Sequence, residues 1–267
     1  MRIAILQFAA AQGKQANLEL IRQLARKAAA AKPDLVVFPE AGMYDFGEAD
    51  TPLAPAAEPL DGPFVQAIGD LARDLGATIV GGMFEAHESD PERVFNTVVA
   101  VNRDGSLAGA YRKIHLYDAF GWRESDRLVP GDGTRVVVSV GDHRVGLFTC
   151  YDLRFPELAR ALAADDGADV LVVPAAWVRG PMKEDHWSTL VRARAIENTC
   201  YVVAAAQTPP KYSGRSMLVD PMGVVVAGLG EEQGVAIGDV DPERLASVRK
   251  RNPTLRHRRF AVTHRDG

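Results

Sequence analysis

The sequence is poor in cysteine and has little excess charge, and these two shortages exclude several classes of protein. Its 267 residues include only Cys150 and Cys200. Two cysteines cannot build a disulfide framework, and their separation fits neither a zinc knuckle nor a CxxC redox motif. The net charge of -4 at pH 7 offers no general attraction for nucleic acid or an anionic membrane. We therefore expect a reducing, cytoplasmic compartment and no nucleic-acid partner.

Long apolar runs are also missing. No run approaches the ~20 residues that a membrane-spanning helix needs, so we expect no membrane partner. The first residues loosely imitate a signal peptide, but Gln7 interrupts the apolar stretch and only Arg2 supplies a positive charge before it. This pattern favours a first core strand over residues 2–8. A basic stretch over residues 249–259 lacks interleaved aromatics, and we interpret it as a surface or subunit-contact segment.

Cofactor motifs are the third absence. The Gly228-Leu229-Gly230 sequence lacks the third glycine of a dinucleotide-binding loop, since Gln233 stands there. No phosphate-binding GxxxxGK[ST] loop and no GxSxG motif occurs, and the histidines never fall at metal-ligand spacing on a helix. The sequence therefore predicts neither a metal nor an organic cofactor.

Short apolar runs alternate with longer helical patterns, which is typical of a layered α/β domain. The 47% hydrophobic content suffices for one domain over residues 1–267. Several runs are separated by hairpin turns, so the sheets must be mixed. The last two strands, 224–227 and 235–240, are expected to pair with each other. The other predicted strands cover 2–8, 34–38, 77–84, 95–102, 107–112, 135–140, 144–149, 169–174, 201–207 and 217–219, and the helices 17–31, 63–75, 156–164, 184–199 and a short one from Asp241.

Three reactive side chains come directly after apolar strand patterns: the Glu40 carboxylate, the Lys113 amine and the Cys150 thiol. Taken singly, Glu40 and Lys113 could be surface charges, and Cys150 could be a small buried hydrophobic residue. Together they suggest one site, because all three would lie at strand ends around one opening. A thiol before a turn that opens a helix is also a favourable place for a nucleophile. His115 offers an alternative base for Cys150, but a Cys–His dyad leaves the other two residues unexplained.

Six segments resemble, in order along the chain, the nitrilase or carbon–nitrogen hydrolase superfamily. The resemblance implies a four-layer αββα sandwich with two mixed β-sheets. It covers essentially the whole chain, and its three catalytic segments are specific in combination. The matching segments are Phe38-Pro39-Glu40, Tyr111-Arg112-Lys113-Ile114-His115-Leu116, Cys150-Tyr151-Asp152-Leu153-Arg154-Phe155-Pro156-Glu157, Pro174-Ala175-Ala176-Trp177, Arg192-Ala193-Arg194-Ala195-Ile196-Glu197-Asn198 and Asp220-Pro221-Met222-Gly223.

The resemblance assigns the family's Glu–Lys–Cys triad to Glu40, Lys113 and Cys150. Glu40 is expected to be the general base, and Lys113 to stabilise the thiolate and the oxyanion. The backbone N–H of Tyr151 is the expected second oxyanion donor. Glu124 matches the family's second glutamate and is expected to position Lys113 and the substrate amide. The implied reaction is hydrolysis of a non-peptide C–N bond through a thioester, with no cofactor.

Within the superfamily, the segment 113–118 and the Glu124-Ser125 pair look most like the Nit-type amidases. That branch includes ω-amidases and deaminated-glutathione amidases, so the resemblance implies a small anionic carboxamide as substrate. A cation near the pocket is then expected, with Arg179 and Arg154 as candidates. Arg154 is the weaker candidate, because it is expected to pair with Glu157 or another acid. Phe120, Trp122 and Trp177 are the expected pocket walls.

The triad alone does not separate several rivals. A nitrilase, an N-carbamoyl amino acid amidohydrolase and an acyl transferase share it, and an inactive scaffold or binding member is the non-enzyme alternative. The absence of membrane segments argues against the lipoprotein acyltransferase branch. The resemblance also implies a homodimer or higher homo-oligomer, with residues 243–267 as a tail that contacts the partner subunit.

Overall fold

A computed structural model describes residues 1–263, and its core is a pair of six-stranded mixed sheets. The first sheet has the order β12-β1-β2-β3-β4-β5. Its strands are β1 (Arg2–Gln7), β2 (Leu35–Val37), β3 (Thr78–Ala86), β4 (Val94–Val101), β5 (Leu107–Arg112) and β12 (Gly234–Asp239). The second sheet has the order β11-β10-β9-β8-β7-β6. Its strands are β6 (Val136–Val140), β7 (His143–Leu147), β8 (Val170–Ala175), β9 (Tyr201–Ala206), β10 (Met217–Val219) and β11 (Val225–Gly228).

Helices cover the outer face of each sheet. The first sheet packs against α1 (Lys14–Ala29) and α2 (Pro63–Leu75), and the second against α3 (Pro156–Ala164) and α4 (Lys183–Asn198). Two short helices follow near the end of the chain, α5 (Pro242–Arg251) and α6 (Thr254–His257). The layers are therefore α, β, β, α, as predicted. Among the described residues, no helix is long and apolar enough to cross a membrane.

Side-chain alternation along the strands explains the layering. In β1, Ile3 and Ile5 join the core between the sheets, whereas Ala4 and Leu6 join the core under the helices of the first sheet. Successive residues of a strand point to opposite faces, so a strand that is apolar at every position can bury both. The sequence pattern thus produces a sheet that is covered on both sides.

The predicted pairing of the last two strands is wrong. β11 pairs with β10 in the second sheet, whereas β12 pairs antiparallel with β1 in the first, with Ala4 opposite Ile237. The intervening segment therefore crosses from one sheet to the other. The two strands do not form the predicted hairpin, because β12 instead pairs with the free edge of β1 and satisfies its backbone hydrogen-bonding groups.

The basic stretch near the C-terminus is partly tied to its own chain. Arg249 donates to the Asp169 carboxylate at 2.8 Å and to the backbone carbonyls of Thr199 and Ala168. Arg258 bridges Asp165 at 3.2 Å. The predicted tail over 243–267 extends beyond the described residues at positions 264–267, and its contact with a partner subunit stays a prediction.

Candidate active site

Three strand ends converge at one edge of the gap between the sheets. Glu40 follows β2, and Lys113 follows β5 directly, both in the first sheet, while Cys150 follows β7 of the second sheet. The Glu40 and Lys113 residues are each 1% exposed, and Cys150 is 8% exposed. The expected convergence around one opening is therefore observed, and the sheet-to-sheet interface brings the thiol to the other two groups.

The Glu40 carboxylate is held by three donors. Its Oε1 accepts from Asn96 Nδ2 at 2.7 Å and from Lys113 Nζ at 3.0 Å, and its Oε2 accepts from the backbone N–H of Ala176 at 2.7 Å. Gly82 makes room for this residue, because a Cβ there would lie 2.6 Å from the Glu40 Cα. The partners Asn96, on β4, and Ala176, just after β8, are distant from Glu40 in sequence, so no local pattern predicts them.

The Lys113 ammonium lies between two carboxylates. It donates to Glu40 and, at 3.1 and 2.9 Å, to both oxygens of Glu124. Burial alone would lower the Lys113 pKa, but the negative charges of Glu124 and Glu40 outweigh it and raise this pKa well above the usual value. Burial, partly opposed by Lys113, raises the pKa of Glu124. Lys113 is therefore a fixed cation at neutral pH.

Cys150 begins a short turn, Cys150–Arg154, with a left-handed backbone φ of 47°. Such a conformation is uncommon for a residue other than glycine and implies surrounding contacts that hold it. The preceding Thr149 supplies two of them: its N–H donates to Asp152 at 3.1 Å, and its hydroxyl donates to the Pro174 carbonyl at 2.7 Å. The thiol is thereby fixed in a sharp turn at the end of the strand.

Burial, then the neighbouring Glu40 carboxylate, raises the pKa of the Cys150 thiol well above its usual value, although Lys113 acts in the opposite sense. The thiol is therefore protonated at rest. A nucleophile in this state needs a base within reach, and Glu40 is the neighbouring carboxylate whose negative charge contributes to the raised thiol pKa.

Asp152 ties the Cys150 turn to the segment that carries Lys113. This fully buried carboxylate accepts from the Tyr111 hydroxyl at 2.7 Å and from the His115 backbone N–H at 3.1 Å. A second contact with His115 joins its ring Nδ1 to an Asp152 oxygen at 2.8 Å. The His115 ring also stacks on Phe155, with a centroid separation of 3.7 Å. His115 is thus committed to Asp152, and within residues 1–263 no hydrogen bond joins it to Cys150, which leaves the Cys–His alternative unsupported.

The thiol opens into a cleft of about 540 Å³, counting the space open to solvent. Two of the expected pocket walls, Trp122 and Trp177, line it together with Glu124 and Tyr151. Phe120 instead lies at the rim, where it is 64% exposed and outside the cleft lining. The remaining lining residues are Phe46, Tyr117, Arg127, Arg154, Ala176, Val178, Lys183, Lys211 and Tyr212.

The predicted pocket cation Arg179 is wrong, because its guanidinium bridges Glu184 at 3.1 Å and Glu231 at 3.8 Å outside the cleft. Arg154 lines the cleft instead, and its expected ion pair with Glu157 does not form. Its guanidinium lies 4.7 Å from the Trp177 ring centroid, and its Nε is buried without a partner. An unpartnered buried guanidinium N–H is costly unless something else accepts from it.

Comparison with known proteins agrees with this geometry. Residues 2–250 match the carbon-nitrogen hydrolase family model. The chain is 42% identical to deaminated glutathione amidase of Escherichia coli O157:H7 over 98% of both proteins. It is 29% identical to Saccharomyces cerevisiae Nit3, a member of the nitrilase superfamily, with a TM-score of 0.86 over 97% of both chains.

A third relative is an amidase from Nesterenkonia sp. AN1, whose glutamate-to-glutamine mutant has been solved and shows the result of Michael addition of acrylamide at the active-site cysteine. This chain is 28% identical to it, with a TM-score of 0.79 over 94% of this chain and 97% of that one. The likeness to both solved structures extends over nearly the whole described fold.

Proposed function

The chain belongs to the carbon–nitrogen hydrolase family, and on that premise we propose that it is an amidase acting on a small anionic carboxamide through a thioester on Cys150. The observation that carries this proposal is the buried group of Glu40, Lys113 and Glu124 next to a thiol that opens into a cleft. Such a group combines a nucleophile, a base and a fixed cation.

In the first step Glu40 accepts the thiol proton while the sulfur attacks the amide carbonyl carbon. A C–S bond forms, and the carbonyl π electrons move to the oxygen. Lys113 and the backbone N–H of Tyr151 are the proposed donors to this oxyanion. One such donor contributes about 3–4 kcal/mol to stabilisation of the transition state.

Collapse of the tetrahedral intermediate breaks the C–N bond, and Glu40 returns the proton to the leaving nitrogen. With a primary amide the product is ammonia, and the acyl group remains on sulfur. Water then attacks the thioester as Glu40 takes its proton, and the released Cys150 thiolate recovers that proton. Glu124, which accepts from Lys113 through both of its oxygens, positions the ammonium throughout.

An anionic substrate is supported by the charge of the cleft wall. Arg154 lines the cleft beside Cys150 with an unpartnered Nε, so it is the proposed partner of a substrate carboxylate. The Escherichia coli relative is named deaminated glutathione amidase, and an ω-amide of a dicarboxylate is the corresponding proposal for this chain. A nitrile or an N-carbamoyl amino acid would use the same three groups.

The direct test is an ammonia-release assay with a primary ω-amide, its nitrile analogue and an N-carbamoyl amino acid, with the Cys150→Ala protein as control. We expect turnover of glutaramate, the monoamide of glutaric acid, and little of the other two. Trapping of an acyl adduct on Cys150, seen by intact mass after acid quench, tests the thioester. Equal turnover by the Cys150→Ala protein would refute the mechanism.

We also propose a cytoplasmic homodimer. The small number of cysteines supports the compartment, and the family resemblance supports the assembly. Light scattering at micromolar concentration tests the dimer, and a monomeric mass would contradict it.

A further inference from the structure

Lys183 is a further cation in the cleft with Arg154, and hydrogen bonds hold both its side chain and its backbone in place. Lys183, the first residue of α4, is 7% exposed and lines the cleft beside the Cys150 turn. Its ammonium donates to the Tyr117 hydroxyl. Its backbone carbonyl accepts from Trp177 Nε1 at 2.7 Å. Both ends of this residue are therefore fixed to the aromatic walls of the cleft.

Lys183 and Arg154 lie against the same aromatic ring. The Lys183 Nζ is 4.5 Å from the Phe120 ring centroid, and the Arg154 guanidinium carbon is 5.6 Å from it. Within residues 1–263, neither cation lies within 4.0 Å of a carboxylate. Burial, and then the charge of Arg154, lowers the pKa of Lys183, so the pair repels itself.

Lys211, the other lysine of the cleft lining, does have a carboxylate partner. It donates to the Asp45 carboxylate at 3.3 Å and to the Gly47 carbonyl, so its charge is compensated within the chain. A fourth cation of the lining, Arg127, donates to the backbone carbonyls of Phe46, Glu48 and Thr51. Lys183 and Arg154 are thus the two lining cations that share one aromatic ring and have no carboxylate partner among the described residues.

We propose that Lys183 is a specificity-determining residue that holds a second substrate carboxylate, so that the preferred substrates are carboxamides with two acid groups. This inference rests on the proposed amidase function. An ammonium has three donors, and Tyr117 accepts one of them, which leaves two for an anion. A second carboxylate would also remove the repulsion between Lys183 and Arg154. Preorganised side chains bind with a smaller loss of conformational entropy.

The test uses three amides that differ by one carboxylate at each step: valeramide, glutaramate and the terminal monoamide of tricarballylate. The wild-type protein is expected to prefer the tricarballylate amide. Lys183→Met should lower the ratio of kcat/KM for this amide over glutaramate at least about tenfold, as for loss of one charged hydrogen bond. Lys183→Arg should retain most of this ratio. Arg123→Gln, which removes an exposed cation outside the cleft, should leave it unchanged.

Equilibrium binding separates the two proposals. Titration calorimetry of the Cys150→Ala protein, with and without Lys183→Met, measures affinity for the same amides without turnover. A lower affinity of the Lys183→Met protein for the tricarballylate amide alone supports the inference, even if no amide is hydrolysed. An unchanged ratio in both assays, or equal weakening for all three amides, overturns it. Thermal unfolding of each variant checks that the fold persists.

Discussion

The two cysteines of this chain share a residue type and a buried setting, yet their surroundings differ. Cys200 lies between α4 and β9, is 0% exposed, and has a pKa that burial raises to about 12. Cys150 lies in a left-handed turn at the edge of a cleft, next to Glu40 and Lys113. Burial raises the pKa of both thiols, so both are protonated at neutral pH. A base within reach and an open path to substrate therefore distinguish a nucleophile from a core residue.

The strongest way to test this contrast is removal of each sulfur. Cys150→Ala should lower kcat at least about a thousandfold, since the acyl acceptor is gone. The measurement is ammonia release from glutaramate, together with thermal unfolding to show that the fold persists. Iodoacetamide should label Cys150 in the native protein and spare Cys200, as checked by peptide mass spectrometry. Equal labelling would contradict the contrast.

Removal of the Glu40 base should leave the Cys150 thiol in place but without a group that accepts its proton. Glu40→Gln keeps the size of the side chain and its bond from Ala176, but it cannot accept the thiol proton. We expect kcat to fall about 10²- to 10⁴-fold. The rate of Cys150 alkylation at pH 7 should fall as well. Activity close to that of the wild type would exclude Glu40 as the base.

Removal of the cation should affect both catalysis and stability. Lys113→Ala leaves Glu40 and Glu124 buried together without their shared partner, at a cost of about 3–5 kcal/mol in unfolding free energy at neutral pH. This loss should shrink as pH falls and the carboxylates become protonated. Urea denaturation at pH 7 and pH 5 measures it. An inactive Lys113→Ala protein whose unfolding free energy equals that of the wild type at both pH 7 and pH 5 would contradict the ion-pair geometry.

The link between the Lys113 segment and the Cys150 turn should have a smaller effect. Asp152→Asn keeps the shape of the side chain but loses one acceptor among the Tyr111, His115 and Thr149 contacts. Because the Lys113 segment and the Cys150 turn would be held less firmly relative to each other, we expect kcat to fall about 10-fold with little change in KM. Steady-state kinetics and thermal unfolding separate this from general destabilisation. A fall in melting temperature with normal kcat would show a structural role only.

The smallest expected effect comes from Cys200→Ser, which should leave kcat unchanged. It should alter stability at alkaline pH. The Cys200 pKa is raised in the folded state, so folding favours the thiol, and this stabilisation is lost as pH rises from about 9 toward 12. The wild type should therefore lose up to about 1.4 kcal/mol per pH unit more than the variant. Denaturant midpoints across this pH range measure the difference.

Much of the fold and of the site could be predicted from local sequence. The α2 boundaries, the hairpin turns and the placement of Glu40, Lys113 and Cys150 after strands follow from short-range periodicity and turn chemistry. The pairing of β11 and β12 could not, because a hairpin signal between two strands does not say whether a distant strand edge competes for one of them.

The cations that line the cleft could be predicted only in part, since Arg154 was a candidate and Lys183 was not. Arg179 was predicted to meet an anionic substrate, whereas Lys183, four positions later, was not singled out. The chain reverses between them, with left-handed backbone at Met182. Glu231, more than 50 residues away, engages Arg179, while Tyr117 engages Lys183. Arg179 also pairs with the nearby Glu184, but Glu231 and Tyr117 are distant in sequence, so local patterns do not reveal that Lys183 lines the cleft while Arg179 lies outside it.

The sequence by itself determined which segments form strands and which reactive groups stand at their ends, because strand and helix periodicities are properties of neighbouring residues. Tertiary structure alone decided the environment of each group. Glu40 receives the N–H of Ala176 across a separation of 136 residues, and Asp152 joins the Lys113 and Cys150 segments from opposite sheets. Burial, pKa and access to the cleft depend on such contacts, and they separate Cys150 from Cys200.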